Sequence, residues 1–296
     1  MQVLVDEIVD LMKEATTRPT DTSVPGLLMI KGDVPSHQLA AVYKPTIGFV
    51  VQGTKILSIG RQKITADGPS YFLLPMHVPV TATVHSGPGG LAYMSLGLNL
   101  DLELLHSLLR DIPAETLPNF SPRFTACKMD PEHIEAWLKL LRLTKTPEDI
   151  SALAPVYKRE ILYRILKGSQ GAYLRQLGLS ESAFSKIAQT VQWMRKNYTQ
   201  PIDVKDVARN TGMAITTFHR QFKQATGLSP IQFQKQLRLL EARNLLAFEG
   251  YAVTGAAFEV GYESPSQFNR EYSRFFGASP ARDAAAVRQI EVSRRT

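Results

Sequence analysis

Cysteine is almost missing from this chain of 296 residues: Cys127 stands alone, so no internal disulfide can form, a pattern that fits a reducing compartment. Long apolar runs are missing as well, which excludes a membrane-spanning helix. Met1 to Glu14 is amphipathic, with acids at Asp6, Glu7 and Asp10, and lacks the basic start and small-residue cleavage site of a secretory signal. It reads as a helix of a cytoplasmic protein. Histidines spaced for a metal are also lacking. His37, His77 and His85 stand apart, with no His-x-His pair and no nearby Glu to complete the two or three His and one carboxylate that hold iron or manganese in small barrels. No metal and no cofactor is expected. What remains is a hydrophobic content of 44%, enough for real cores, on a chain longer than one ordinary domain.

The last third of the chain repeats itself. Ala208 and Gly212 fall on Ala257 and Gly261 at an offset of 49, and Arg220, Phe222, Gly227, Ser229 and Pro230 fall on Arg270, Tyr272, Gly277, Ser279 and Pro280 at 50. Each copy predicts a short helix, a turn centred on Gly212 or Gly261, and a second helix closed by Gly227 or Gly277, where a left-handed cap favours glycine. Asp203 is the expected N-cap of the first copy, with Asp206 also at the positive end of the helix dipole. In the second helix Phe218 and Phe222 share a buried stripe and leave Thr216, Thr217, His219, Arg220 and Lys223 on other faces. The second copy divides alike: Phe268, Tyr272 and Phe275 inward, Ser266, Asn269, Arg270 and Arg274 outward.

Between the copies, Ser229-Pro230 opens a long helix from Ile231 to about Glu249, ended by Gly250. Roughly 19 residues at about 1.5 Å each span about 28 Å, near the roughly 34 Å between successive major-groove faces of B-DNA. Charge points the same way. Residues 180–296 hold 16 Lys and Arg against 10 Asp and Glu, while residues 1–179 hold 18 against 17. Positive charge gathered on such a fold is the footprint of phosphate contact.

Taken together, Gly212-Met213, Phe218 to Lys223, Gly227 to Pro230, Arg238 to Arg243 and Gly261 to Tyr272 resemble the DNA-binding domain of the AraC/XylS transcription regulators. Ala256-Ala257 stands where that family usually has Ile-Ala, and Arg282-Asp283 where it usually has Tyr-Arg. The resemblance implies base-facing positions at Thr216, Thr217, His219 and Arg220 in the first unit and at Pro265, Ser266, Asn269 and Arg270 in the second. Arginine can grip guanine with two hydrogen bonds and asparagine suits adenine. Lys223, Lys235, Arg243 and Arg274 are expected to be phosphate or surface groups, which position without specifying.

Upstream the texture is β-rich. Leu27-Ile30, Leu39-Tyr43, Ile47-Val51, Lys55-Ile59, Tyr71-Leu74, Val80-Val84 and Leu91-Leu96 are predicted strands, punctuated by turn residues at hairpin spacing, which suggests a small antiparallel barrel or sandwich. Tyr43 to Ile47, Val51 to Lys55 with Gly60, and Glu160 to Arg164 resemble the cupin-like N-terminal sensor domain of one AraC-type subgroup. That pattern assigns no ligand residues. Helices are expected at Leu100-Arg110, Pro131-Leu143, Pro155-Lys167, Ala172-Leu177 and Ser180-Asn197, the last capped by Ser180, with hinges near Ile112-Pro122 and Thr144-Asp149. Cys127, beside Phe124, Ala126 and Met129, reads as core material; the sharper alternative is a reactive thiol sensitised by Arg123 and Lys128.

The expected architecture is therefore α+β: a cupin-like barrel with flanking helices over residues 1–179, then an all-α region over 180–296 with helix-turn-helix units at about 203–228 and 252–278. The expected function is a ligand-responsive transcription activator that reads two adjacent major grooves. Its expected partners are double-stranded promoter DNA, RNA polymerase and a small-molecule effector, with a homodimer possible and no membrane. The competing readings are a cupin-type enzyme with a helical appendage and a repressor or DNA-binding scaffold without a ligand.

Overall fold

The structure, a computed structural model, describes residues 1–17, 19–32, 39–113, 124–179 and 182–292. Alternation of apolar and polar residues makes the first half a strand region, because period two puts one apolar face on each strand. Ten strands result: β1 (Thr20–Asp21), β2 (Leu27–Lys31), β3 (Ala41–Tyr43), β4 (Thr46–Gln52), β5 (Thr54–Ile59), β6 (Gln62–Asp67), β7 (Ser70–Leu74), β8 (Val78–His85), β9 (Met94–Asn99) and β10 (Ala126–Lys128). They pair antiparallel into two sheets, ordered β1-β2-β9-β4-β7-β10 and β3-β8-β5-β6. Among the described residues the strands form two sheets, the sandwich form of the expected barrel or sandwich, and a closed barrel is not shown.

Register assigns each side chain to a face. Gly48 of β4 is paired with Phe72 of β7 and Gly97 of β9, and Val50 with Ser70 and Ser95. These residues therefore share one face of the larger sheet. Phe49 lies on its other face and packs on Trp137 with ring centres 5.6 Å apart. On that outer face lie α1 (Gln2–Leu11), which packs on β4, and α3 (Pro131–Arg142), which carries Trp137; α4 (Ile150–Lys167) packs on α3, and α2 (Leu102–Asp111) and α5 (Gly171–Gly178) pack on α4 and on each other. The N-terminal helix is pinned by Arg142, which donates to both carboxylate oxygens of Glu7 at 2.7 Å. Glu160 on α4 accepts from Lys139 of α3 and from Arg164.

The helix starts expected at Leu100 and Ala172 fall at Leu102 and Gly171, and two others differ more. The fourth helix begins at Ile150, with Pro155 inside it, because the second turn can lose one backbone bond and keep its apolar contacts. Ser180 lies outside the described residues, and the sixth helix, α6 (Ala183–Lys196), is capped by Ser182, whose hydroxyl accepts from the Ser185 N–H at 2.9 Å. Phe184, Ile187, Val191 and Met194 form its buried stripe as expected. Of the two hinge segments, residues 114–122 lie outside the described residues, and 143–149 forms two 3-10 turns.

The C-terminal region is helical throughout: α7 (Val204–Asn210), α8 (Ile215–Thr226), α9 (Pro230–Phe248), α10 (Val253–Glu259), α11 (Pro265–Phe276) and α12 (Pro280–Val292). Most of its buried apolar residues fall into two clusters. One is continuous from the sheets through α6 into Phe218, Phe222, Phe233 and Leu237. The other starts at Leu239 and gathers Leu246, Ala256, Ala257, Val260, Phe268 and Tyr272. The division falls within a single helix, between Leu237 and Leu239.

Candidate nucleic-acid interface

A side-chain cap starts one helix of each unit, and a glycine closes the end of its second helix. Asp203 accepts from the Lys205 N–H at 2.8 Å and starts α7; Ser264 accepts from Gln267 and starts α11. Gly227 and Gly277 close α8 and α11 at φ +74° and +77°, a region that side-chain-bearing residues rarely enter. The aromatic stripe fixes rotation: Phe218, Phe222, Phe268 and Tyr272 are fully buried, with Phe218 and Phe222 rings 5.5 Å apart and Phe268 and Tyr272 rings 5.4 Å apart. The opposite faces follow by helical geometry. Thr216, His219, Arg220, Ser266, Asn269 and Arg270 are exposed, and Thr217 and Pro265 are half-buried. Phe275, expected inward, is only half-buried and packs edge-on against Phe276.

The long helix joins the units rigidly. Ser229 and Gln232 form a reciprocal capping box at the start of α9, and its 19 residues run to Phe248. Arg238, in the middle, carries a role that the spacing of the sequence did not reveal. Its guanidinium donates to the carbonyl oxygens of Tyr198 at 2.7 Å, Thr199 at 3.0 Å and Gln200 at 3.2 Å, and to that of Gly261 at 2.7 Å. One planar fork thus ties the segment leading into the first unit to the turn of the second. Gln234, one helical turn earlier, donates to Tyr198 and Gln200 as well.

The four expected phosphate groups separate into two kinds. Lys223 and Arg274 are exposed and make no ion pair among the described residues. Arg243 is corrected: it is 13% exposed and forks onto Asp283 with two 2.8 Å hydrogen bonds, under the Phe276 ring at 4.4 Å. Such a guanidinium is spent on a contact inside the second unit. Lys235 is also engaged, at 2.7 Å from Glu271. Burial pushes the Glu271 carboxyl upward, but bonds from Lys235, Gln267 and Tyr262 outweigh it and hold the group below its usual range. Asp283 accepts from Tyr272 in addition, so the departure from the family at Arg282-Asp283 has its own packing solution.

The sheets touch this apparatus at the end of the first recognition helix. The turn between β5 and β6 brings Gly60 against the cap residue Gly227. A Cβ at Gly60 would fall 2.4 Å from the Gly227 carbonyl oxygen, and one at Gly227 would fall 2.8 Å from that of Ile59. Beside this contact, Arg61, Lys223, Lys235, Glu271 and Arg274 line a cleft of about 480 Å³. A second tie joins Arg195 of α6 to His77, whose Nε2 accepts at 2.8 Å; burial and the neighbouring Arg195 push His77 down to about 4 and keep it neutral.

Other candidates from the sequence are placed as follows. His37 and Arg123 lie outside the described residues, and His85 is exposed at the end of β8. Among the described residues no three His, Cys, Asp or Glu side chains gather as a metal site, and no helix is long and apolar enough to cross a membrane. Cys127 is half-buried on β10, its sulfur 3.1 Å from the Ser169 hydroxyl and 3.6 Å from Gln170.

Comparison with known proteins agrees with this geometry. The family model of the AraC-type transcriptional regulator N-terminus matches residues 23–173, and a helix-turn-helix domain model matches residues 207–285. The transcriptional activator RhaS of Salmonella schwarzengrund is 31% identical over 145 residues, 48% of this chain and 51% of that protein. RhaS of Klebsiella pneumoniae is 34% identical over 128 residues, 42% and 45% of the two chains. The chain thus spans about half the length of the curated relatives it matches. The crystal structure of apo ToxT from Vibrio cholerae superposes with a TM-score of 0.56 at 12% identity, covering 90% of this chain and 98% of that one, a likeness of fold. With half of its length matched by the N-terminal model and the two-unit helical region matched by the other, this chain belongs to the AraC-type transcriptional regulators.

Proposed function

We propose that the protein is a cytoplasmic transcription activator that reads two adjacent major grooves of promoter DNA and is controlled by a small molecule bound in its two-sheeted region. The single observation carrying the DNA reading is the pair of capped helices, α8 and α11, with unspent polar faces on one braced helix. Thr216, Thr217, Arg220, Ser266, Asn269 and Arg270 form no side-chain hydrogen bond among the described residues, so none must be broken to reach a base edge. Thr216, Thr217, His219 and Arg220 are the base-contacting set of the first unit, and Pro265, Ser266, Asn269 and Arg270 that of the second. Lys223 and Arg274 supply phosphate contacts. The sensor portion ends near residue 179 and the DNA-binding portion begins near 180. Activation, as in the RhaS relatives, implies contact with RNA polymerase, and a homodimer would double the operator.

The Gly60 contact with the cap of α8 gives the sheets a mechanical hold on the first recognition helix. Coupling between effector and DNA then needs only a ligand that favours one arrangement by about 1–3 kcal/mol.

Substitution separates the two kinds of contact. Arg220→Ala and Arg270→Ala are each expected to weaken the cognate site by about 1–3 kcal/mol while leaving nonspecific affinity nearly unchanged. Lys223→Ala is expected to weaken all sequences alike and to lower the salt slope by about one. Lys235→Ala is expected to change that slope less, since Glu271 already offsets its charge. Fluorescence anisotropy over a salt series reads both quantities. Equal losses on cognate and random DNA for both arginines would remove the base-contact assignment.

A further inference from the structure

The smaller sheet carries a lysine on its inward face. Along β5 the buried positions alternate as Lys55, Leu57 and Ile59, so Lys55 points between the sheets with the apolar residues and is only 4% exposed. Its ammonium lies 5.3 Å from the centre of the Tyr43 ring and 5.5 Å from that of Phe72, and forms no hydrogen bond or ion pair among the described residues. The two rings stabilise the cation through their faces, but they do not neutralise it. Burial accordingly pushes Lys55 down to about 8.

The facing sheet offers hydroxyls that are likewise unspent. Ser95, Val50 and Ser70 stand in register across β9, β4 and β7, and the next inward row is Gly97, Gly48 and Phe72. Ser70 is 2% exposed and its hydroxyl has no partner; the Tyr93 hydroxyl, fully buried near Tyr43 and beside the Ser95 side chain, makes no hydrogen bond of normal geometry. Phe72 lies flat across β4 because Gly48 has no side chain, as a Cβ there would stand 2.1 Å from the ring. Gly97 is less crowded: a Cβ there would sit in ordinary van der Waals contact, 3.8 Å from the Leu28 and Thr46 side chains. Buried charges are normally paired and buried hydroxyls normally bonded, so a lysine and two hydroxyls left unpaired in one interior point to a ligand that completes them.

We propose that the interior between the sheets at Lys55 binds a small organic monocarboxylate, its carboxylate on the Lys55 ammonium and the Ser70 and Tyr93 hydroxyls, its apolar body against Tyr43, Phe72 and Val50. One ammonium offsets one negative charge; a dianion such as phosphate would bring a second charge with no cation to meet it. The inference rests on the reading of this region as the effector domain, and it supplies the chemical class of the effector.

The test uses the full chain, titrated by calorimetry and followed by thermal shift, with acetate, hexanoate, benzoate, the uncharged hexanamide, and inorganic phosphate as probes. At least one of the three carboxylates is expected to bind and raise the Tm, while hexanamide and phosphate leave it unchanged. Lys55→Met is expected to weaken that carboxylate at least tenfold. Tyr93→Phe, which removes only an unpartnered hydroxyl and keeps the ring, is expected to weaken it about threefold and serves if Lys55→Met fails to fold. With no anion added, Lys55→Met is expected to melt no lower than the parent protein, since it exchanges an uncompensated charge for an apolar chain of similar length. A lower Tm, silence towards all three carboxylates, an undiminished response in both variants, or phosphate binding as tight as the carboxylates overturns the proposal. Promoter binding by the unsubstituted protein is measured separately. If it stands while the carboxylates are silent, the anion site fails and the DNA reading survives; if promoter binding fails while a carboxylate binds through Lys55, the reverse holds.

Discussion

Inserting four alanines after Leu240 is expected to lower affinity for a two-groove operator by at least a hundredfold. The insertion lengthens α9 by about 6 Å and turns everything beyond it by about 40°. Arg238 then no longer reaches the Gly261 carbonyl, nor Lys235 the Glu271 carboxylate, because both partners lie beyond the insertion. Each unit keeps its own caps and aromatic stripe, so each still folds and still binds an isolated half-site; only their phase along the duplex is lost. Gel shifts on the full operator and on single half-sites read the difference. Wild-type affinity in the insertion variant would mean that one unit alone grips DNA, and Pro265, Ser266, Asn269 and Arg270 would lose their proposed role.

The second large effect lies at Arg243. Arg243→Ala is expected to destabilise the protein by about 3–5 kcal/mol, the range for removing one partner of a buried ion pair and stranding the other. Asp283, 8% exposed, would keep the Tyr272 hydroxyl as donor and lose both guanidinium bonds. A phosphate-contacting arginine would behave in the opposite way, leaving stability intact and lowering the salt slope by about one. Chemical denaturation and the salt series therefore give contrasting answers. Arg243→Met combined with Asp283→Leu should recover most of the loss, since an apolar pair leaves no unpaired charge. An Arg243→Ala protein as stable as its parent would return this residue to the DNA surface.

These residues also mark what local sequence can and cannot say. Helix ends were legible because their chemistry is local: Asp203 bonds two residues away, Ser229 three, and Gly227 and Gly277 take conformations that few other residues accept. The exposed polar faces of α8 and α11 were legible for the same reason, since Phe218 with Phe222 and Phe268 with Tyr272 take the buried side and leave the polar side chains the other. Arg243 and Arg238 were not, because their partners are set by folding: Asp283 is 40 residues from Arg243, and the carbonyls held by Arg238 lie in two distant segments. Strand β6 was missed after Gly60-Arg61-Gln62, which look like turn residues; only Ile64 and Ala66 alternate inward, and the pairing with β5 decides the matter. The three residues of β10 carry no strand signal of their own and are organised by β7.

The split of the apolar core within α9 bears on how the protein comes apart. Melting is cooperative where side chains share contacts, and the sheets share theirs with the first unit but not with the second. The sheets and the first unit are therefore expected to open together as one block, whereas α10, α11 and α12 form another, joined to α9 through Leu239, Leu246, the Arg243 pair, the Lys235 pair and the Arg238 bond to Gly261. An effector that tightens the sheets adds directly to the survival of the first head alone. If the two units read separate grooves as proposed, the second is expected to lose and regain its grip while the first remains folded, which hydrogen exchange on the DNA-bound chain would read as faster exchange in α10–α12 than in α8.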